Sequence, residues 1–245
     1  MIRLVSLAAF LLAWQLGAMA LGPQHLPAPA QVAATFADEW RTGDMPLNLG
    51  FTLARVLAGF TLAMIAGSAL GLALGRNAAL DRMLDPWLVI ALNTPALVVI
   101  ILAYVWGGLN ETSALVAIAL NKFPNAVVTL REGARALDPA LDEMAGVFAF
   151  SSWRRWRDVL LPQLAPYFAA AARGGLALVW KIVLVVELLG RPNGVGFKMG
   201  MAFQLFDLRL LLAYALPFVA LMVVAETFVL RPAERSANWW RRHDD

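Results

Sequence analysis

Apolar residues fill this chain in long unbroken runs. Six of them, roughly 3–21, 50–75, 86–106, 112–130, 164–189 and 209–230, approach or reach the ~20 residues a helix needs to cross a hydrocarbon core. Strands of a closed barrel would alternate apolar and polar positions, and these runs do not. The pattern predicts an all-α integral membrane protein, six transmembrane helices forming one domain over residues 1–245. Between the fourth and fifth runs lies a polar, basic, tryptophan-bearing segment, 131–162, that is too long and too patterned to be a plain connection.

Composition agrees with lipid as the solvent: 60% of the 245 residues are hydrophobic and 15% charged, against about 25% charged in soluble chains. Such apolarity excludes disorder for most of the chain. There is no cysteine, so disulfides and thiolate metal sites are excluded. The arginines border apolar runs and form no groove-sized patch, which argues against nucleic acid as a partner.

Lys and Arg placement gives the orientation. Arg3, Arg76, Arg82, Arg131, Arg135, Arg154, Arg155, Arg157, Arg231, Arg235, Arg241 and Arg242 fall on one side; only Arg41, Arg191, Lys198 and Arg209 fall on the other. Arg55, Lys122, Arg173 and Lys181 lie within runs. The positive-inside rule then puts both termini and segment 131–162 in the cytoplasm. Arg3, the apolar run behind it and Ala18-Met19-Ala20 also fit a cleavable signal peptide. The run is long for a signal and holds Trp14 well inside, so a retained span is expected; cleavage would leave the other five unchanged. In the first outside loop, 23–49, Val32, Phe36 and Trp40 recur every four residues, one face of a short surface helix that caps the bundle. Gly59, Ala63, Gly67, Gly71 and Gly75 make a smooth ridge on the second run, a packing device for a close neighbour.

Within 131–162, Asp138-Pro139 is a strong helix start, with Asp142 and Glu143 in the first turn, where the dipole favours acids. Leu141, Met144, Ala145 and Phe148 form one stripe. A second short helix starts at Ser151 or Ser152, carries Trp153, Trp156 and Leu160, and ends at Pro162 or gives way there to the next span. Two short amphipathic helices and a tight bend make a knob whose apolar side fits a protein groove or a lipid surface. The acids of the first helix favour the protein, because anionic headgroups would repel them.

The spacing Glu143-Met144-Ala145, three residues, Ala149, nine residues, Val159-Leu160-Leu161-Pro162 resembles the cytoplasmic signature of permease subunits of binding-protein-dependent ATP-binding-cassette importers: Glu-Ala-Ala, three residues, Gly, nine residues, Ile-x-Leu-Pro. Leu26-Pro27-Ala28-Pro29, Thr52-Leu53-Ala54-Arg55-Val56 with Gly59-Phe60, Leu74-Gly75-Arg76, Leu84-Asp85-Pro86, Leu137-Asp138-Pro139 and Glu187-Leu188-Leu189-Gly190 are similar to the nitrate, sulfonate and taurine branch. Ala149 stands where the signature has glycine. If that position needs a positive φ, alanine costs about 1 kcal/mol or slightly more; the expectation is that the bend is made differently here.

The resemblance implies a membrane subunit in a bacterial inner membrane, paired as a homodimer with a second copy and surrounded by lipid. Two ATPase subunits that hold ATP and Mg dock from the cytoplasm, and a solute-binding protein docks from outside. Glu143 with Arg154 or Arg155 then makes polar contacts in the ATPase groove. Met144, Phe148, Trp153 and Trp156 fill it, with Ala145, Ala149, Leu161 and Pro162 completing the signature. The chain itself has no nucleotide chemistry: Lys122, Lys181 and Lys198 follow Asn121, Trp180 and Phe197, so no Gly-Lys-Ser/Thr phosphate loop exists. His25 and His243 lie in a loop and a tail, no metal-ligand spacing appears, and no catalytic residue or cofactor of its own is expected.

Polar residues inside the spans have two readings: a lining that admits a small anion such as a sulfonate or nitrate, or buried pairing, for example of Lys122 with Glu187. The candidates are Asn93 and Thr94 ahead of Pro95, Asn121, Lys122, Lys181 and Glu187. Lys181 and Glu187 are six residues apart, about 240° around a helix, and do not pair directly. Residues 191–208, with Gly194, Gly196 and Gly200, read as an outside re-entry segment. A self-sufficient secondary transporter or a membrane scaffold that recruits a soluble partner are the alternatives; convincing internal repeats, which would favour the former, are absent.

Overall fold

Runs this apolar must satisfy their backbone internally, and they do so as helices. The computed structural model describes residues 2–230 and 232, and no strand occurs among them. Arg231, Arg235, Arg241, Arg242 and His243 lie outside the described residues, as does the side chain of Arg3. The elements are α1 (Ile2–Leu21), α2 (Pro29–Arg41), α3 (Asp44–Arg76), α4 (Ala78–Asn93), α5 (Ala96–Gly107), α6 (Glu111–Arg135), α7 (Pro139–Val147), α8 (Ser152–Arg155), α9 (Leu161–Gly190), α10 (Val195–Gln204) and α11 (Leu208–Ala225). They fall into two compact units: the chain to Ala54 with Leu184–Met222, and Arg55–Val183 with the chain from Val223.

In the first unit, α1 is tied to the following loop by the Trp14 indole N–H, which donates to the Pro27 carbonyl at 3.0 Å. Pro29 opens α2, and the Gln31 side chain accepts from the Ala28 N–H to cap it. Val32 is buried, and the Phe36 and Trp40 rings meet at 5.7 Å with Trp40 half exposed, on the short helix expected from the sequence. Lys198 on α10 reaches Asp44 at 2.9 Å, and the Tyr214 hydroxyl on α11 donates to Glu39 at 2.6 Å.

In the second unit the glycine ridge of α3 lies against α6. A Cβ placed on Gly67 would sit 2.6 Å from that of Ala126; on Gly71, 2.5 Å from the Val127 carbonyl oxygen; on Gly75, 2.5 Å from the Ala134 Cβ. The two backbones approach this closely only because those side chains are absent. Leu74, Leu88 and Val127 form a buried cluster beside them. The guanidinium of Arg55 on α3 forks onto Glu111 at the start of α6, at 2.7 and 3.0 Å.

The third predicted span, 86–106, is not one helix. Helices α4 and α5 are bent by 99° at Thr94-Pro95. Pro95 has no N–H to continue α4 and forces Thr94 into an extended conformation. Asn93 and Thr94 then turn their side chains back onto the carbonyls of Val89 and Ile90, each at 2.8 Å. Among the described residues four helices are long and apolar enough to cross a membrane, five if the bent pair is one span; α1 is apolar over Val5–Leu21 but shorter.

Candidate functional site

Asp138 starts α7 as the sequence predicts: its carboxylate accepts from the Ala140 N–H at 2.8 Å, and Pro139 takes the first helical position. The helix ends in a two-bond reversal. The Phe150 N–H donates to the Ala145 carbonyl at 2.9 Å and the Ala149 N–H to that of Gly146 at 3.0 Å, the pairing that needs a left-handed residue between helix and loop. That residue is Ala149, at φ 50°. The expectation that the bend is made differently is therefore wrong: alanine occupies the strained conformation itself, because the two bonds leave the chain no other turn.

Ser151 caps the next helix by accepting from the Arg154 N–H. Of the two outcomes expected at Pro162, the helix does not stop there but gives way to the next span. Helix α8 passes through a widened turn, Trp156–Leu160, directly into α9. In that turn the Leu161 N–H bonds the Trp156 carbonyl, five residues back, which makes room for a proline that has no N–H of its own.

The knob is held by its own charges. Arg155 forms a forked ion pair with Asp142, which joins α8 to α7 and holds the Asp142 carboxyl below the usual carboxylate range. Arg154 lies 4.1 Å over the Phe150 ring and 3.5 Å from Asp158. Ala145 is buried and packs the element rather than facing outward. Glu143, Met144, Trp156, Leu161 and Pro162 are exposed. The knob's most open apolar groups are Val147 (84%), Trp153 (74%) and Phe148 (68%). Val147 was missed from sequence because it lies off the stripe that Ala145 turns inward. Beside them a cleft of about 560 Å³ is lined by Arg76, Asp138, Asp142, Ser152, Arg155 and Trp156.

The polar residues of the spans separate into two kinds. Asn93 and Thr94 make the α4–α5 break, and the Asn121 amide donates into its own helix at Ala117. Lys181 is exposed. Glu187 is fully buried: the Thr52 hydroxyl lies 2.9 Å from both its oxygens, and the Gly196 N–H donates to it at 2.9 Å. The Asn48 side-chain Oδ1 accepts from the Gly194 N–H at 2.7 Å, and the Thr52 hydroxyl from that of Val195 at 2.9 Å. Glu187, Thr52 and Asn48 thus satisfy the N-terminus of α10, where a carboxylate complements the dipole. Sequence reasoning missed Asn48 and Thr52, although their i, i+4 spacing on an apolar helix was the available signal. Lys122, only 2% exposed, makes no ion pair or hydrogen bond among the described residues.

An exposed aromatic knob on a chain of membrane-capable helices narrows the possible relatives, and residues 59–232 match the family described as binding-protein-dependent transport system inner membrane component. The chain belongs to that family. The permease is 28% identical over 236 residues to SsuC of Bacillus subtilis (strain 168), a permease assigned to aliphatic sulfonates transport, covering 96% of this chain and 85% of that protein. It is 26% identical over 203 residues to the nitrate import permease NrtB of Synechococcus elongatus, covering 79% and 73%. A chain of the MetNI methionine ABC transporter, solved in inward-facing conformations, shares its fold with a TM-score of 0.65 at 17% identity, over 76% of this chain and 92% of that one. The permease is thus the inner-membrane transport component of an ATP-driven importer, which works with an ATPase and a solute-binding protein; hydrolysis belongs to the ATPase.

Proposed function

We propose that residues 138–162 are the element through which the ATPase drives this permease, and that the cargo is a small anion such as a sulfonate or nitrate. The observation that carries the first part is the exposure of Val147, Phe148 and Trp153 on an element made rigid by the Asp142–Arg155 pair and the reversal at Ala149. Apolar groups presented on a stiff support fill a groove at little entropic cost. Glu143 and Arg154 supply polar contacts at its rim, while Arg155 acts from within. The continuity of α8 into α9 supports a direct mechanical link, since a push on Trp153 moves a single helical rod. Both termini and the knob lie in the cytoplasm, as the arginine distribution argues. A second copy of the chain completes the transporter, and ATP with Mg is bound by the ATPase.

The cargo reading draws on the relatives assigned to sulfonate and nitrate transport. The test of coupling is a complex of permease, ATPase and binding protein reconstituted in vesicles. Glu143→Ala combined with Trp153→Ala should abolish ATP-driven uptake and lower ATPase retention on the purified permease at least tenfold. Unchanged uptake would reject the assignment.

A further inference from the structure

Among the described residues, the buried charges of this permease are paired, with one exception. Arg55 has Glu111, Arg131 has Asp81 and Asp85 at 3.1 and 2.7 Å, and Glu187 has Thr52 and the Gly196 N–H. Lys122, midway along α6 and 2% exposed, has neither carboxylate nor hydrogen-bond acceptor among the described residues.

Its place is nevertheless shaped for it. Gly175 of α9 lies against the lysine stem, and a Cβ there would overlap Cε and approach Nζ too closely to be accommodated. Gly175 thus leaves the space that the end of the lysine occupies, and a side chain there would displace the ammonium. Two residues beyond Lys122, Pro124 lacks an N–H and leaves the Leu120 carbonyl without its helical donor. An uncompensated ammonium at this depth costs stability, whereas a methionine of similar length would not. Retaining it in the space beside Gly175 has a physical rationale if a ligand brings the missing charge.

The geometry points to Lys122 as an oxyanion-binding site inside the membrane, with Gly175 leaving the space that its ammonium occupies. The ammonium offers three donors and no acceptor, which suits a monovalent oxyanion with several equivalent oxygens, such as a sulfonate or nitrate. As a step in transport, the site rests on the reading above that the cargo is such an anion.

Thermal unfolding of the full permease in phosphatidylcholine nanodiscs tests this. Methanesulfonate is compared with its neutral isostere dimethyl sulfone, at ionic strength held constant with sodium gluconate. Methanesulfonate well above its Kd should raise Tm by about 3–6 °C, and dimethyl sulfone should not. Lys122→Met should unfold at a higher temperature than the parent in sulfonate-free buffer and lose the sulfonate shift. Arg209→Met, which removes an exposed charge in the first turn of α11, should keep the shift. A sulfonate shift that persists in Lys122→Met overturns the site, as does a Lys122→Met protein that is less stable than the parent or does not fold, since the charge would then be structural. Neutral cargo in the reconstituted transporter, together with a Lys122-dependent shift, sinks the cargo reading and leaves the site. Sulfonate uptake with a shift indifferent to Lys122 does the reverse.

Discussion

Restoring glycine at position 149 should make the knob more stable. Ala149 holds φ 50° between the two hydrogen bonds that reverse the chain after α7. An L side chain in that region costs about 1–2 kcal/mol, because Cβ crowds the following carbonyl. Removing the methyl relieves this cost. It also gives the unfolded chain more freedom, which offsets about 0.4–1 kcal/mol. Ala149 is exposed, so little packing is lost with the methyl. The net expectation for Ala149→Gly is a stabilisation of about 0.5–1 kcal/mol, or two- to fivefold slower opening at the reversal. Amide hydrogen exchange of segment 138–162 reads this directly, since the Ala149 and Phe150 N–H groups are the two donors. Ala140→Gly, in the first turn of α7, should act oppositely, for glycine there loses helix propensity and gains no relief from strain. Exchange that is equal or faster in Ala149→Gly would show that the alanine is unstrained and the reasoning wrong.

Two further substitutions test the packing and the cap. Gly71→Ala should destabilise the permease by about 1–3 kcal/mol, because its Cβ would meet the Val127 backbone oxygen at 2.5 Å. Gly50→Ala, whose Cβ meets nothing within 4 Å, should instead stabilise by about 0.5–1 kcal/mol; unfolding temperatures of the two variants moving the same way would contradict the ridge argument. Glu187→Gln keeps the shape of the cap but removes its charge, and should cost roughly 1.5–3 kcal/mol, a fall in Tm of roughly 4–10 °C. An unchanged Tm with intact transport would mean that the carboxylate is not what anchors α10.

Patterns within one helix were legible in the sequence. Apolar length marked the membrane-capable helices though not their number, Asp138-Pro139 and Ser151 gave the starts of α7 and α8, and the four-residue glycine repeat gave the close-packed face of α3. Each depends on neighbours only a few residues away, which is the range over which propensity and periodicity act. The bend at Pro95 was only half visible: the proline marks the break, but nothing local sets its 99°. The tertiary structure alone decided which polar side chains meet. Glu187 joins Thr52 at a separation of 135 residues, and Arg131 joins Asp81 and Asp85 at 50 and 46. A carboxylate in an apolar run reads the same whether it caps a helix or faces a path, because its cost of burial is fixed by partners that the local sequence does not name. Lys122 shows the converse. Its charge was plain in the sequence, and only the packing of α9 against it at Gly175 shows that it is enclosed without a partner among the described residues.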